Sequence, residues 1–267
     1  MDIDFLVGVA KEAGRAILEV YATDFEVTTK QDHSPLTLAD MRSHTIISAA
    51  LRQRYPQIPV LSEEGREISF QERRQWDSFW LVDPLDGTKE FVKKNGEFTV
   101  NIALVREHTP VVGIIYIPVS DRVFVADVNE GCWEISSGGR KKLTVSPISP
   151  DTPVRVARSR SHPTPGLEQF LSLIPSHQLI NRGSALKFCS VAAGEADFYP
   201  RFGPTWEWDT AAGQAIVTAA GGVMLDLSAK PFVYNKENLL NGPFIVCSSM
   251  EWLEKTGILE AASKLRE

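Results

Sequence analysis

The segment from Phe79 to Thr88 combines an apolar run with two carboxylates, a glycine and a threonine. Its four apolar residues predict a buried strand, which leads directly to Asp83 and Asp86. Carboxylate oxygens are the ligands that a hard divalent cation needs, and backbone N–H groups at a helix start bind phosphate. The segment therefore offers positions for a metal ion and for the phosphate group that the metal would activate.

The residues between and after the two aspartates favour close approach to a ligand. Pro84 has no N–H and restricts Asp83 to an extended conformation, after which we expect a turn. Such a turn lets the Asp83 carboxylate, the Leu85 carbonyl and the second aspartate face one point. Gly87 permits close backbone approach, and Thr88 supplies a hydroxyl. An ordinary β-turn with Thr88 capping a helix is the alternative, and the carboxylates elsewhere in the chain favour the metal interpretation.

Other acidic residues lie where apolar elements end or helices begin. Glu63 and Glu64 follow a short apolar run, and a metal ion would relieve the repulsion between their carboxylates. A solvated pair at a strand end is the alternative. Asp209 follows the aromatic stretch 206–208 and opens a predicted helix, which an ordinary N-cap also explains. Its aromatic neighbours indicate a partly buried carboxylate, and such a group requires a partner.

Asp40 has two interpretations. Thr37 and Asp40 match the capping-box pattern of a helix start, which would explain both residues. In the functional interpretation, Asp40 orients the Thr88 hydroxyl so that the pair polarises a water molecule. The residues alone leave both interpretations open.

The composition of the 267 residues, 43% hydrophobic and 23% charged, is typical of a soluble globular protein. A net charge of −6 provides no basic excess for binding nucleic acid through its phosphates. The three cysteines lack CxxC spacing, which favours free thiols in a reducing compartment. No apolar run approaches the ~20 residues that span a bilayer, and the charged N-terminus is not that of a secretory signal. We therefore expect a cytoplasmic protein, free or peripheral at the inner membrane.

Residue patterns predict an α+β first half and an α/β second half. The elements expected in the first half are helices over 4–21 and from Thr37 to about Tyr55 with a turn over 32–35 between them, a strand over 58–61, a polar helix or loop over 66–77, and an antiparallel meander of strands over 99–105, 111–117 and 122–128. Serines, glycines and prolines over 136–153 mark the best candidate boundary. The elements expected beyond it are strands over 154–157, 223–227 and 244–248 and helices over 166–174, 184–193, 209–220 and 250–266.

Three motifs together carry a family resemblance. In chain order, Ser62-Glu63-Glu64, Asp83-Pro84-Leu85-Asp86-Gly87-Thr88 and Trp208-Asp209-Thr210 resemble the inositol monophosphatase superfamily. Its members are magnesium-dependent, lithium-sensitive phosphomonoesterases. The resemblance covers nearly the whole chain and implies the layered αβαβα architecture of the sugar phosphatases. With the boundary above, we expect an α+β metal-binding subdomain over 1–145 and an α/β substrate-binding subdomain over 146–267.

Within the superfamily, the chain resembles the CysQ-type 3'(2'),5'-bisphosphate nucleotidases. The similar stretches are 80–91, 95–104, 159–162, 183–188 and 199–205. Inositol phosphatases typically have Thr-Asn where this chain has Lys89-Glu90, and they tend to carry an acidic residue near the place of Arg201.

The resemblance implies a metal site and a water-activating pair. One Mg²⁺ would be held by Glu63, Asp83 and the Leu85 carbonyl, and a second by Asp83, Asp86 and Asp209. Two or three ions are expected during turnover. Catalysis would rest on Glu63, Asp40 and Thr88, because the last two orient the attacking water, while Gly87 and Thr88 contact the scissile phosphate.

The resemblance also implies a substrate site in the second half of the chain. Ser184, Lys187 and Arg201 match positions that contact the nucleotide or its second phosphate, and His162 matches one near the adenosine. A 3',5'-bisphosphate keeps its 5'-phosphate when the 3'-phosphate leaves, so a cation must bind the group that stays. A solvated helix lysine and a loop arginine are the alternative interpretation.

These features together predict Mg²⁺-dependent hydrolysis of 3'-phosphoadenosine 5'-phosphate to AMP and phosphate, in sulfate assimilation. The enzymatic alternative is a phosphatase of inositol monophosphate or of a sugar bisphosphate with the same metal site. A non-catalytic nucleotide- or Ca²⁺-binding module is disfavoured, because the chain lacks the EF-hand loop pattern and keeps every expected carboxylate. The sequence leaves the choice between monomer and homodimer open.

Overall fold

The structure is a computed structural model that describes residues 1–23, 35–149, 151–161, 165–174 and 176–263. The elements of the first half are, in chain order, α1 (Ile3–Tyr21), α2 (Pro35–Arg54), β1 (Val60–Ser62), α3 (Phe70–Arg73), β2 (Ser78–Asp86), α4 (Thr88–Val92), β3 (Thr99–Arg106), β4 (Thr109–Ile117), β5 (Arg122–Asp127), β6 (Gly131–Ser136) and β7 (Gly139–Leu143). Those of the second half are β8 (Val154–Ser159), α5 (Pro165–Leu171), β9 (His177–Arg182), α6 (Leu186–Ala192), β10 (Phe198–Arg201), β11 (Thr205–Trp206), α7 (Glu207–Ala219), β12 (Val223–Asp226), β13 (Leu240–Asn241), β14 (Phe244–Cys247), α8 (Met250–Thr256) and α9 (Ile258–Ser263).

The first sheet orders its strands from β1 to β7 as they occur in the chain. β1 lies parallel to β2, and the remaining neighbours are antiparallel, so the predicted meander is confirmed. It also continues into the predicted boundary, because β6 and β7 pair there, with Ser136 opposite Gly139. The serine and glycine of this two-residue hairpin turn give the same sequence signal as a linker.

The second sheet has the order β12-β14-β10-β8-β9, with β8 parallel to both of its neighbours. The sequence patterns did not predict β9 and β10. β9 is a partly exposed edge strand without apolar alternation, and β10 is four residues long and contains Pro200. β11 and β13 form a separate short ladder. The predicted closing helix is broken at Gly257, whose φ of 64° lies in the left-handed region and ends α8.

Side-chain alternation builds the layers, because successive residues of a strand face opposite sides of a sheet. Trp80 and Val82 pack with α1 and α2, whereas Phe79 and Leu81 pack with α6 and α7, which lie between the two sheets. The outer face of the second sheet packs against α5, α8 and α9. This is the αβαβα order that the family resemblance implied.

The chain leaves the first sheet after Leu143. One apolar cluster nevertheless contains residues of both halves, such as Leu81, Phe188 and Val246. The division into subdomains at residue 145 therefore stays a prediction. Among the described residues, no helix is both long and apolar enough to cross a membrane.

Candidate active site

The ends of β1 and β2 bring the first two acidic positions together. Ser62 pairs with Val82 in the parallel ladder, and the Glu63 N–H donates to the Val82 carbonyl at 3.1 Å. Because parallel strands end at the same edge of a sheet, Glu63 lies beside Asp83.

A bulge in β2 replaces the predicted turn. Asp83 pairs with Asn101 and Asp86 with Thr99, so three steps along β2 oppose two along β3. Pro84 suits this position because it has no N–H to lose, and its carbonyl accepts a 2.8 Å hydrogen bond from Ser43 of α2. The predicted turn after Asp83 is therefore wrong: the strand continues to Asp86. A bulge re-aims side chains, and here it brings both aspartates to the site.

Three aspartates form the centre of the site. Asp83, Asp86 and Asp209 each offer a carboxylate oxygen, and these oxygens lie within 4.8 Å of one another. Asp209 comes from the first turn of α7, where its carboxylate accepts the Trp206 N–H at 2.7 Å. The alternative interpretation of Asp209 as an N-cap is wrong, because Trp206 is the N-cap residue and Asp209 is the third residue of the helix.

The electrostatics of this cluster favour a cation. Burial, together with the neighbouring Glu63, Asp86, Asp209 and Asp40 carboxylates, raises the pKa of Asp83 well above its ordinary value. Burial and the Asp86 carboxylate raise the pKa of Asp209 to about 8. So many adjacent carboxylates are stable in the ionised form only with a counter-charge, and a donor set made of oxygen alone fits a hard divalent cation.

Asp40 belongs to this acidic environment. α2 begins at Pro35, so Thr37 lies within its first turn and the capping-box interpretation is wrong. Asp40 is buried and contributes to the raised pKa of Asp83. Its predicted action on Thr88 stays a prediction.

Gly87 closes the segment in a conformation that requires glycine. Its φ is 95°, in the left-handed region. A Cβ atom here would lie 3.1 Å from the Ser184 Cβ and 3.2 Å from the Glu97 carbonyl oxygen. Thr88 follows as the first residue of α4. The backbone at this point is thus both tightly packed and free of a side chain that would block a ligand.

A cleft of about 370 Å³ lies over the carboxylates. The predicted site residues that line it are Glu63, Asp83, Leu85, Asp86, Gly87, Thr88, Ser184, Lys187, Arg201 and Asp209. His162, together with the predicted turn residues 32–34, lies outside the described residues. The cleft is also lined by residues without a predicted role, among them Glu90, Ser159, Tyr199 and Trp206.

Three basic residues, Lys89, Lys187 and Arg201, line this cleft, and the last two are the predicted substrate-binding cations. The buried Lys187 ammonium donates to the Ser184 carbonyl and lies 5.3 Å from the centre of the Tyr199 ring. Burial lowers the pKa of Lys187 to about 8, although the Asp86 carboxylate opposes this shift. Arg201 donates from Nε to the Gly203 carbonyl at 3.2 Å, which holds its guanidinium at the end of β10.

Sequence reasoning missed two polar residues of β3. Thr99 and Asn101 are buried and reach Asp86 through hydrogen bonds. The available signal was their spacing, since polar residues two apart in an otherwise apolar strand share one face.

A buried charged network holds the start of α7. Glu207 accepts the backbone N–H groups of Asn235 and Lys236 at 2.7 and 2.9 Å, and the Lys236 ammonium at 2.7 Å. Arg73 donates to the Asn235 side chain at 2.9 Å. These contacts fix the loop beside α7 and thereby the position of Asp209, two residues after Glu207.

An oxygen-rich acidic cluster at strand ends of an αβαβα fold is the arrangement of a metal-dependent phosphatase. The chain belongs to the inositol monophosphatase family, whose model matches residues 2–267. It is 46% identical over 250 residues to the 3'(2'),5'-bisphosphate nucleotidase CysQ of Escherichia coli O157:H7, covering 91% of this chain and 98% of that protein.

Solved structures agree with this assignment. CysQ from Bacteroides thetaiotaomicron, a bacterial member of the family, is similar with a TM-score of 0.84 and 40% identity over 92% of this chain and 97% of that one. An inositol monophosphatase from Zymomonas mobilis shares the fold with a TM-score of 0.80 at 24% identity, over 97% of both chains.

Proposed function

We propose that this protein is a 3'(2'),5'-bisphosphate nucleotidase, a phosphomonoesterase that hydrolyses 3'-phosphoadenosine 5'-phosphate to AMP and phosphate in sulfate assimilation. The observation that carries the proposal is that one cleft holds both the acidic cluster and the predicted substrate-binding cations Lys187 and Arg201. A substrate with two phosphates needs both kinds of group. The higher identity to CysQ nucleotidases than to the inositol monophosphatase structure supports the same choice.

The acidic residues fit Mg²⁺. Glu63, Asp83, Asp86 and Asp209, with the Leu85 carbonyl, would hold two or three ions. Mg²⁺ bound there supplies Lewis acidity that polarises a phosphate oxygen and acidifies a water molecule. The carboxylates also need this charge themselves, because burial and mutual repulsion raise the pKa of Asp83 and Asp209.

The protein's own groups bind and orient the substrate. Gly87 lets the scissile phosphate approach the backbone, where the N–H groups of Gly87 and Thr88 donate to it. The Thr88 hydroxyl donates to the Asp40 carboxylate, and its oxygen accepts a hydrogen bond from the attacking water, which orients that water. Lys187 and Arg201 bind the 5'-phosphate through charge-assisted hydrogen bonds, which keeps the nucleotide in the cleft while its 3'-oxygen leaves.

We further propose a cytoplasmic location, free or peripheral at the inner membrane. Cys132, Cys189 and Cys247 are buried free thiols in the structure, a state that a reducing compartment preserves.

A substrate panel tests the proposal. Phosphate release with Mg²⁺ is compared for 3'-phosphoadenosine 5'-phosphate, inositol 1-phosphate and fructose 1,6-bisphosphate, with Li⁺ added in a parallel series. We expect kcat/KM for the nucleotide to exceed that for the inositol ester by roughly 30-fold or more, since one charge-assisted contact is worth ~2 kcal/mol. Equal or faster turnover of the inositol ester would support the alternative, an inositol monophosphatase, and faster turnover of the sugar would support a sugar-bisphosphate phosphatase.

A further inference from the structure

Ser184 makes contacts that its predicted substrate role does not explain. Its hydroxyl lies 2.5 Å from Asp86 Oδ2 and 2.7 Å from Thr99 Oγ1. Its carbonyl accepts the Lys187 ammonium. Its φ of 46° is left-handed, a strained conformation for a residue with a Cβ, so surrounding contacts must hold it there.

Thr99 is placed to hold Ser184. It is fully buried in β3, and its hydroxyl has two acceptors in reach, Ser184 Oγ at 2.7 Å and Asn101 Oδ1 at 2.9 Å. The Ser184 proton goes to the Asp86 carboxylate, because a charge-assisted bond is the stronger. This leaves the lone pairs of Ser184 for the Thr99 proton, which is shared with Asn101 Oδ1, and in such a chain each bond strengthens the next.

The chain of contacts therefore joins two functional groups that come from different halves of the sequence. At one end is Asp86, a carboxylate of the acidic cluster. At the other is Lys187, tied to the carbonyl of the same serine. Without the Thr99 hydroxyl, Ser184 can leave its strained conformation, and both the plane of the Asp86 carboxylate and the lysine would then move.

We infer that Thr99 is a positioning residue that acts through Ser184 to set both the affinity for Mg²⁺ and the affinity for the second phosphate of the substrate. The inference rests on the proposed function only in naming a second phosphate. Thr99 does not line the cleft, and its effect on Mg²⁺ affinity applies to any phosphomonoester that the protein hydrolyses.

The test compares Thr99→Val, which removes the hydroxyl at nearly constant shape, with Thr99→Ser, which keeps it. Mg²⁺ affinity is measured from the rise in Tm on adding Mg²⁺ and from the half-saturating Mg²⁺ concentration of turnover. We expect the valine variant to need about five- to tenfold more Mg²⁺, as for one lost hydrogen bond, and the serine variant to match wild type. Thr256→Val, which removes a hydroxyl from α8 far from the cleft, is the matched control.

A double-mutant cycle with Ser184→Ala tests whether the effect of Thr99 on Mg²⁺ affinity depends on Ser184. If Thr99 acts through Ser184, Thr99→Val has little further effect in the Ser184→Ala background. Additive effects, or a Thr99→Val protein that loses metal-free stability but keeps its Mg²⁺ response, would show a structural role only and overturn the inference. If Thr99→Val does not fold, Thr99→Ala provides the same comparison.

The second phosphate gives a separate readout. Thr99→Val should raise KM for the bisphosphate nucleotide more than KM for a monophosphate, because Lys187 is displaced with Ser184. Equal changes in KM for the two substrates would show that Thr99 does not act on the second phosphate through Lys187. A wild-type protein that prefers inositol 1-phosphate would refute the proposed function and still leave the Mg²⁺ comparison valid.

Discussion

The Asp86 carboxylate repels its acidic neighbours and is also a proposed metal ligand. One substitution separates the effect of Asp86 on stability from its effect on turnover. Asp86→Asn keeps the shape and the Ser184 contact but removes one of three clustered charges. We expect turnover to fall at least about a thousandfold, the scale of losing a major electrostatic contribution to catalysis. The metal-free Tm should stay equal or rise, because repulsion is relieved.

Phosphate release and thermal unfolding without metal check this expectation, with the exposed Asp4→Asn as control. A large loss of metal-free stability in Asp86→Asn would instead make the position structural.

Lys187 gives the site a pH dependence with a defined sign. Burial lowers its pKa to about 8, so the free protein loses this positive charge as pH rises through about 8. The affinity for AMP should therefore fall roughly tenfold per pH unit above that point. Lys187→Arg should remove the slope, because arginine stays charged.

Calorimetric titrations of AMP between about pH 7 and 9.5 measure this dependence, since the nucleotide's own phosphate, with a pKa of about 6, is already about 90% ionised at pH 7. Parallel slopes for wild type and Lys187→Arg would exclude Lys187 as the titrating group.

Residue types alone predicted the acidic cluster better than the residues that hold the cluster in position. Carboxylates beside apolar runs stand out, and Asp83, Asp86 and Asp209 do meet in the structure. The sequence did not indicate a role for Thr99 and Asn101, because hydroxyl and amide side chains are common within strands. Their hydrogen-bond partners also lie elsewhere in the sequence. The contact between Ser184 and Asp86 joins residues 98 positions apart, and local patterns contain no information about such a pair.

Elements were predictable where their periodicity reflects burial. α1, the meander and α7 have one apolar face or a continuous apolar core, which the sequence displays directly. β9 lies at an edge with few buried residues, and the β2 bulge depends on pairing with β3. Both features are determined by pairing with neighbouring strands, so the sequence of the segment itself does not predict them.

The crossing of α6 and α7 depends on the absence of a side chain at Gly213. A Cβ atom here would lie 2.3 Å from the Phe188 ring, which is buried between the sheets. Gly213→Ala gains up to ~1 kcal/mol of helix propensity but overpacks the core at a cost of roughly 1–3 kcal/mol or more. We expect net destabilisation and, because α6 carries Lys187, a higher KM for the bisphosphate.

Urea unfolding of Gly213→Ala and Gly8→Ala makes the comparison, because Gly8 is an exposed helical glycine of α1 with nothing within 4 Å of its Cβ position. Gly8→Ala should stabilise the protein by ~0.5–1 kcal/mol. Equal shifts in both variants would contradict the packing argument.

At the scale of the molecule, the αβαβα layers bring acidic residues from three elements into one cleft. The free energy of unfolding should therefore depend on the protonation of these residues. The pKa of Asp209 is about 8 in the folded, metal-free protein, against ~4 when unfolded, and that of Asp83 is raised as well. Between these values the folded state binds more protons than the unfolded state, so stability falls as pH rises from about 4 to about 8.

We therefore expect the metal-free protein to lose a few kcal/mol of stability over this pH range, and Mg²⁺ to remove most of the loss by replacing the protons. Thermal unfolding with EDTA and with Mg²⁺ at each pH measures both curves, and Asp209→Asn isolates one carboxylate. Other groups titrate in the same window, so the decisive quantity is the difference between wild type and Asp209→Asn. A difference that stays constant with pH would mean that Asp209 is ionised in the metal-free fold and that the cluster tolerates its own charge without a cation.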